Sequence, residues 1–169
     1  MCIAIVYGST GGATQDVANL IKEELGLEAE LYDISDCSKE TFEKHERLII
    51  GTSTWGEGDL QDDWEDLFEE FKTIDLSGKT VAFFGLGNQE SYYETFVDGL
   101  GILYETAKKN GANIVGDAWS SEGYDFGESK ALNDDGFVGL VIDDDNQSDE
   151  TSQRVKMWVK TIKSNFESK

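Results

Sequence analysis

Ile3-Ala4-Ile5-Val6-Tyr7-Gly8-Ser9-Thr10-Gly11-Gly12-Ala13-Thr14 is an apolar run that breaks into small hydroxyl residues and glycine. The amphipathic pattern Val17, Ala18, Ile21 and Leu25 follows directly, so the stretch reads as strand, tight loop and helix. A strand that turns this way into a helix presents free backbone N–H groups, and the positive end of a dipole, to an anion. The arrangement predicts a phosphate site. No Lys or Arg lies in the loop, so the phosphate is expected to be held rather than cleaved or transferred. A nucleotide triphosphatase loop needs Lys just before its final Ser or Thr, and that position is Ala13. Gly85-Leu86-Gly87-Asn88-Gln89-Glu90 lacks the third glycine of a dinucleotide fingerprint. Neutral donors must therefore carry the anion: backbone amides and the hydroxyls of Ser9, Thr10 and Thr14.

Outward from that loop, strand and helix patterns alternate. Apolar, β-rich runs occupy 3–7, 29–34, 48–51, 81–84 and 137–142, with a weaker one at 112–115. Between them, Trp64, Leu67, Phe68 and Phe71 share a helical face, as do Val97, Leu100, Tyr104 and Ala107. Val155, Trp158, Val159, Ile162 and Phe166 form the cleanest amphipathic stripe. These stripes are read as core, and Trp64, Trp158 and Trp119 with them. Alternation with near-continuously apolar strands predicts an α/β fold: a doubly wound parallel sheet covered by helices on both faces. Ligands on such sheets bind at the carboxyl ends of strands, where the winding reverses.

A chain of 169 residues is expected to form one domain over 1–169, with a single core. Its net charge of −21 argues against nucleic acid or an anionic membrane as partner and favours steering toward basic protein faces. No apolar run is long enough to cross a bilayer and no signal peptide is read at the start, which predicts a cytoplasmic protein; a monomer is expected. Cys2 and Cys37 are isolated and lack metal spacing, so both are read as reduced thiols and no metal site is expected. His45, in the charged segment 40–47, is read as a solvated surface residue.

The loop 9–14 resembles the FMN phosphate loop of flavodoxins, and agreement continues along essentially the whole chain. Gly51-Thr52-Ser53-Thr54-Trp55-Gly56-Glu57-Gly58 is similar to that family's first isoalloxazine loop, and Gly85-Leu86-Gly87-Asn88-Gln89 with Tyr92 to its second. Leu60-Gln61 and Asp63-Trp64-Glu65 resemble the helix start of the long-chain branch. Trp119-Ser120-Ser121-Glu122-Gly123-Tyr124-Asp125-Phe126, then Ser129-Lys130-Ala131, resembles the insertion that defines that branch. Phe137-Val138-Gly139-Leu140 and the run 143–147 complete the pattern. The resemblance implies a five-stranded sheet of order 2-1-3-4-5 in three α/β/α layers. It also implies an insertion, 120–136, that splits the fifth strand into 114–119 and 137–142 without entering the flavin site. For the insertion, partner recognition or no measurable role is expected.

The resemblance further implies non-covalent FMN, its phosphate on Ser9, Thr10, Gly11, Gly12, Ala13 and Thr14. Trp55, beside Thr54, would cover the inner face of the ring and Tyr92, beyond Gly87 and Asn88, the outer face. Gly56 would permit the peptide flip that follows the first reduction, since a glycine has no Cβ to oppose it. Asp145 would accept a ribityl hydroxyl, whereas Asp143 and Asp144 read equally well as ligand contacts or as a solvated turn. The family departs at Gly11, where its members usually carry Thr or Ser; inward-pointing Thr10 is the more economical replacement, and close backbone approach at Gly11-Gly12 the other.

By the same resemblance the chain is a low-potential one-electron carrier, not an enzyme, shuttling between semiquinone and hydroquinone and able to stand in for ferredoxin. Carboxylates near the flavin (Glu57, Asp59, Asp62, Asp63) would penalise the reduced anion. Partners with basic docking faces are expected, among them ferredoxin/flavodoxin–NADP reductase, pyruvate oxidoreductase, photosystem I or nitrogenase reductase. The alternative is an FMN-dependent reductase or a flavodoxin-like accessory domain.

Overall fold

The run that opens the chain forms β1 (Ile3–Gly8), buried along its full length. Buried strands of this kind need a neighbour on each edge, and β1 pairs in parallel with β2 (Ala29–Asp33) on one side and β3 (Arg47–Trp55) on the other. The computed structural model describes residues 3–9, 11–55 and 58–167, without the side chain of Trp55. After β3 the chain folds back in a short antiparallel β4 (Asp59–Leu60), and β3 pairs in parallel with β5 (Thr80–Leu86). With β3 along one edge of β5, the other edge is shared. Its beginning takes β6 (Asn113–Ile114); its end takes β9 (Leu140–Ile142), after the hairpin β7 (Leu132–Asn133) and β8 (Gly136–Phe137).

The order β2-β1-β3-β5-β6 is the expected 2-1-3-4-5, with the fifth position held by two short pieces. Those pieces are shorter than the expected 114–119 and 137–142. Trp119 and Phe137 instead exchange backbone hydrogen bonds with each other, antiparallel, at 3.0 and 2.7 Å. Gly116, at φ +68°, turns the chain away from the sheet edge before it could pair further.

Helices cover both faces. Ile3, Ile5 and Tyr7 of β1 point toward α1 (Ala13–Leu25) and α5 (Ser148–Phe166), packing with Val17, Ile21, Val155, Trp158 and Ile162. Ala4 and Val6 point the other way, toward α3 (Asp62–Phe71) and α4 (Asp98–Lys109), with Trp64, Phe71, Leu100 and Leu103. The short α2 (Lys39–Glu43) places Phe42 in the same layer. Each such large apolar side chain contributes roughly 1.5–3 kcal/mol on burial. No described helix is long and apolar enough to cross a membrane.

His45 is buried, not solvated. Its Nδ1 lies 2.8 Å from the Thr41 carbonyl and its ring meets Tyr32 edge-on at 5.5 Å. The backbone carbonyls of Glu43 and His45 both accept from Lys79 Nζ at 2.9 Å, which pulls this turn onto the protein. Cys37 is a free, half-buried thiol pushed up to about 11 by burial, which keeps it protonated and inert at neutral pH. Cys2 lies outside the described residues.

Two buried side chains, through their polar atoms, tie α3 to the sheet and α4 to the segment before β7. Trp64 Nε1 donates to the Gly51 carbonyl at 3.0 Å, and its indole lies so close to Gly8 that a Cβ there would stand 2.4 Å from Cδ1. Asp98, 4% exposed, accepts from the Lys130 amide at 2.7 Å. Burial raises its carboxyl above the ordinary range, the Lys130 amide and charge oppose the rise, and Glu128 adds to it.

Trp64→Phe keeps most of the ring but removes the indole donor to the Gly51 carbonyl, and is expected to cost about 1–3 kcal/mol in urea denaturation; an unchanged midpoint would remove the assigned role. For Asp98, the folded state binds the proton more tightly than the unfolded chain does. Its contribution to stability is therefore complete below the ordinary carboxylate range, about pH 4, and is lost as pH rises through the raised folded value. Asp98→Asn should then become progressively more favourable relative to the parent as pH rises from that range. A stability difference that is constant with pH would contradict the assignment.

Candidate functional site

Because β1, β3 and β5 are adjacent and run the same way, the loops at their carboxyl ends emerge side by side. With the loop after β9 they enclose a cavity of ≈ 260 Å³. Ser9, Gly11, Ala13 and Thr14 come from the first loop, Ser53 and Thr54 from the end of β3. Leu86, Gly87, Asn88 and Tyr92 follow β5, and Asp144 and Asp145 follow β9.

The first loop is built for an anion. The earliest helical bond of α1 runs from the Asp16 amide to the Gly12 carbonyl at 3.0 Å, so the amides of residues 13–15 have no helical acceptor. Gly12, the residue before the helix, holds φ +89°, a left-handed conformation that disfavours any side chain. Its amide donates to Ser9 Oγ at 2.9 Å. That bond fixes the Ser9 oxygen and leaves the hydroxyl proton to donate elsewhere. Thr14, 2% exposed, sits in the first turn and lines the cavity. A Cβ added at Gly11 would meet nothing within 4 Å, so the space for a larger residue there is open. Thr10 lies outside the described residues.

At the far side, Tyr92 is half-buried on a loop shaped by Asn88. Asn88 Oδ1 accepts from the Glu90 and Ser91 amides at 3.1 and 2.9 Å, and the Asn88 carbonyl accepts from the Tyr92 amide at 2.9 Å. Thr54, buried, accepts from the Gly99 amide through Oγ1 at 2.9 Å. Trp55 ends β3, paired with Asp59; its side chain, and the whole of Gly56, lie outside the described residues.

Of the expected site residues, Ser9, Gly11, Ala13, Thr14, Thr54, Gly87, Asn88, Tyr92 and Asp145 line one cavity. Gly12 stands behind them as the turn that starts the helix. The three consecutive aspartates after β9 separate in role. Asp145 Oδ2 accepts from Asn88 Nδ2 at 3.3 Å across the cavity rim, and Asp144 Oδ1 accepts from Thr151 Oγ1 at 2.9 Å. Asp143 is fully buried and points inward: Oδ2 accepts from the Gln89 amide at 3.0 Å, Oδ1 from the Asn146 amide at 3.0 Å. Asp143 thereby ties the loop after β9 to the loop after β5. The sequence leaves Asp143 and Asp144 open and names Ser53, Leu86 and Gln89 within the two flavin loops without a contact of their own; the one available signal for Asp143 is its position directly after an apolar strand.

No basic side chain lines the described cavity, and two carboxylates do. Among the described residues there is no cluster of His, Cys, Asp or Glu able to hold a metal. The arrangement can hold an anionic group on neutral donors at one end and a flat, apolar body beside Tyr92 at the other.

The family model described as flavodoxin matches residues 5–158. Flavodoxin from a Nostoc species is 45% identical over 165 residues, spanning 97% of this chain and 96% of that protein. Flavodoxin 1 of Escherichia coli is 45% identical over 160 residues, 94% of this chain and 90% of its own length. The crystal structure of Fusobacterium nucleatum flavodoxin bound to flavin mononucleotide superimposes with a TM-score of 0.92 at 30% identity, covering 98% of this chain and 99% of that one. A likeness of this extent in sequence and in fold has one reading: the chain belongs to the flavodoxin family.

Proposed function

We propose that the cavity binds flavin mononucleotide and that the protein carries single electrons between other redox proteins. The observation that carries this reading is the pairing, in one cavity, of a helix N-terminus without basic side chains and a loop tyrosine. A dianionic phosphate monoester suits the first, being satisfied by amides and hydroxyls alone. An aromatic ring system suits the second. The flavin-bound Fusobacterium relative supports the same assignment.

The residues present fit the group. The amides of residues 13–15, with the hydroxyls of Ser9 and Thr14, would hold the phosphate. Open space at Gly11 allows an oxygen to approach the backbone there. Asp145, already oriented by Asn88, would accept from the sugar-alcohol chain, and Tyr92 would cover the exposed face of the ring, with Trp55 assigned to the opposite face. When bound, the flavin supplies the reversible one-electron chemistry. The chain supplies the field: Asp144 and Asp145, with no cation in the described cavity wall, oppose added negative charge and so favour release of an electron. Orientation and exclusion of water complete its part.

Docking follows from charge. A net −21 draws partners with basic faces and repels acidic ones. Ferredoxin/flavodoxin–NADP reductase, pyruvate oxidoreductase, photosystem I and nitrogenase reductase are the partner classes we assign.

Titration of the apoprotein with FMN should quench flavin fluorescence with saturation at one equivalent; no quenching would reject the cofactor. Thr14→Ala removes a hydrogen bond to a charged group and should weaken FMN by on the order of ten- to a hundredfold, while changing the apo unfolding midpoint far less. Equal losses in both would place Thr14 in the fold rather than the site. Electron-transfer rates with a basic-faced reductase should fall steeply as ionic strength rises past about 0.1 M, and rates flat in salt would contradict steering.

A further inference from the structure

The segment that joins β6 to β9 contributes no residue to the described cavity wall, yet its backbone is spent on the loop that carries Tyr92. Gln89, 4% exposed, accepts the Asp125 amide on Oε1 at 2.6 Å and donates its own amide to Asp143 Oδ2 at 3.0 Å. Further along, the amides of Gly127 and Glu128 donate to the Tyr93 carbonyl at 2.7 and 3.3 Å. The Phe96 amide donates to the Glu128 carbonyl at 3.2 Å, and the Lys130 amide to Asp98 Oδ1 at 2.7 Å. Residues 125–130 are thus laced to residues 89–98 from end to end.

Apart from its internal turn bonds, the laced loop holds no helix or strand of its own. Between β5 and α4 it is a succession of turns, and it closes on Val97 at φ +47°, a left-handed conformation that a β-branched residue resists. A loop of that kind relaxes unless something outside it fixes its shape. The far side of the insertion is itself anchored. Tyr124 Oη donates to the Val141 carbonyl at 2.5 Å, Arg154 stacks over the Tyr124 ring at 4.1 Å, and Gln147 Nε2 donates to the Gly123 carbonyl at 2.7 Å.

The geometry points to the insertion as a buttress that holds the Tyr92 loop over the cofactor cavity, with Gln89 as the positioning residue through which it acts. This rests on the flavin reading of the cavity. Gln89 does not line the cavity. It joins the insertion, through Asp125, to the buried Asp143 carboxylate, and Asp143 in turn holds Asn146, whose Nδ2 donates to the cavity residue Asn88 at 2.8 Å. Removing the Gln89 carboxamide cuts the tie to the insertion, while the backbone bond to Asp143 stays in place.

The test uses Gln89→Met in the full chain, a swap of similar length that removes the acceptor of the Asp125 amide. Three measurements are made on parent and variant: FMN affinity, residual fluorescence of bound flavin, and amide hydrogen exchange of the apoprotein. The expected result is an affinity lowered roughly tenfold, partial return of the fluorescence that Tyr92 stacking quenches, and faster exchange at the Tyr92, Thr95 and Phe96 amides with β1 and β5 unchanged. Parental values in all three overturn the proposal, as does a lower apo unfolding midpoint accompanied by parental loop exchange and fluorescence. Should Gln89→Met not fold, Gln147→Ala cuts the tie to Gly123 from the solvent side and is judged by the same outcomes. If the parent protein binds no FMN, the flavin reading fails while apo exchange still decides whether the insertion fixes the loop.

Discussion

Parallel pairing of β1 with β3 and of β3 with β5, in one continuous register from Ala4–Leu48 to Ser53–Leu86, determines where three walls of the cavity emerge, and pairing of β9 with β5 places the fourth. A parallel sheet buried on both faces has no polar surface of its own, because both rows of side chains are consumed by the helical layers. Polar chemistry gathers at the ends of its strands and in the loops that follow them. At the carboxyl end those loops meet the free amides of a helix, and the sheet order then brings the loop after β1 within reach of the loop after β5. Break that pairing and the anion end and the aromatic end of the cavity no longer belong to one site.

Charge acts at two scales with the same sign. Over the surface, the excess of carboxylates sets which partners approach and how far salt screens them. Inside the cavity, Asp144 and Asp145 stand opposite a helix terminus whose dipole is the only electropositive element in the described wall. A lysine in the first loop would bind a phosphate more tightly. It would also lower the electrostatic cost of adding an electron to a nearby ring, and weaken the donor. Holding the anion by amides and hydroxyls separates those two effects: affinity at one end is gained without a cation that would stabilise negative charge at the other.

The fold was legible because its signals are carried by residue type. Ile3, Ile5, Tyr7 and the interleaved Ala4 and Val6 announce a strand buried on both faces, and the stripes of α3, α4 and α5 announce the covering layers. The phosphate end of the site was legible for the same reason: Gly12 and Thr14 are the residue types that a left-handed turn and a buried hydroxyl at a helix start require. His45 was not legible. Its ring packs on Tyr32 and its carbonyl is bonded by Lys79, 34 residues away, and no local pattern reports a contact at that range. The length of the split fifth strand was misjudged because Trp119 and Phe137 are good strand residues that found each other across the insertion instead of the sheet.

The insertion shows why polar, glycine-rich composition is a poor guide to role. Such a segment reads as solvated because its side chains are polar, but its contribution here is made by main-chain donors and acceptors, which every residue type supplies. The amides of Asp125, Gly127, Glu128 and Lys130 find partners on the stretch from Gln89 to Asp98, and nothing in the identities of those four residues says so. The same holds for Asp143. Three consecutive aspartates look alike in sequence, yet Asp143, directly after β9, is fully buried while Asp144 and Asp145 line the cavity. Burying one carboxylate among amides joins two loops and the insertion behind them. Exposing the next two leaves their charge where it bears on the ligand. What the residue names give as a run of equal charges, the geometry divides into a joint and a field.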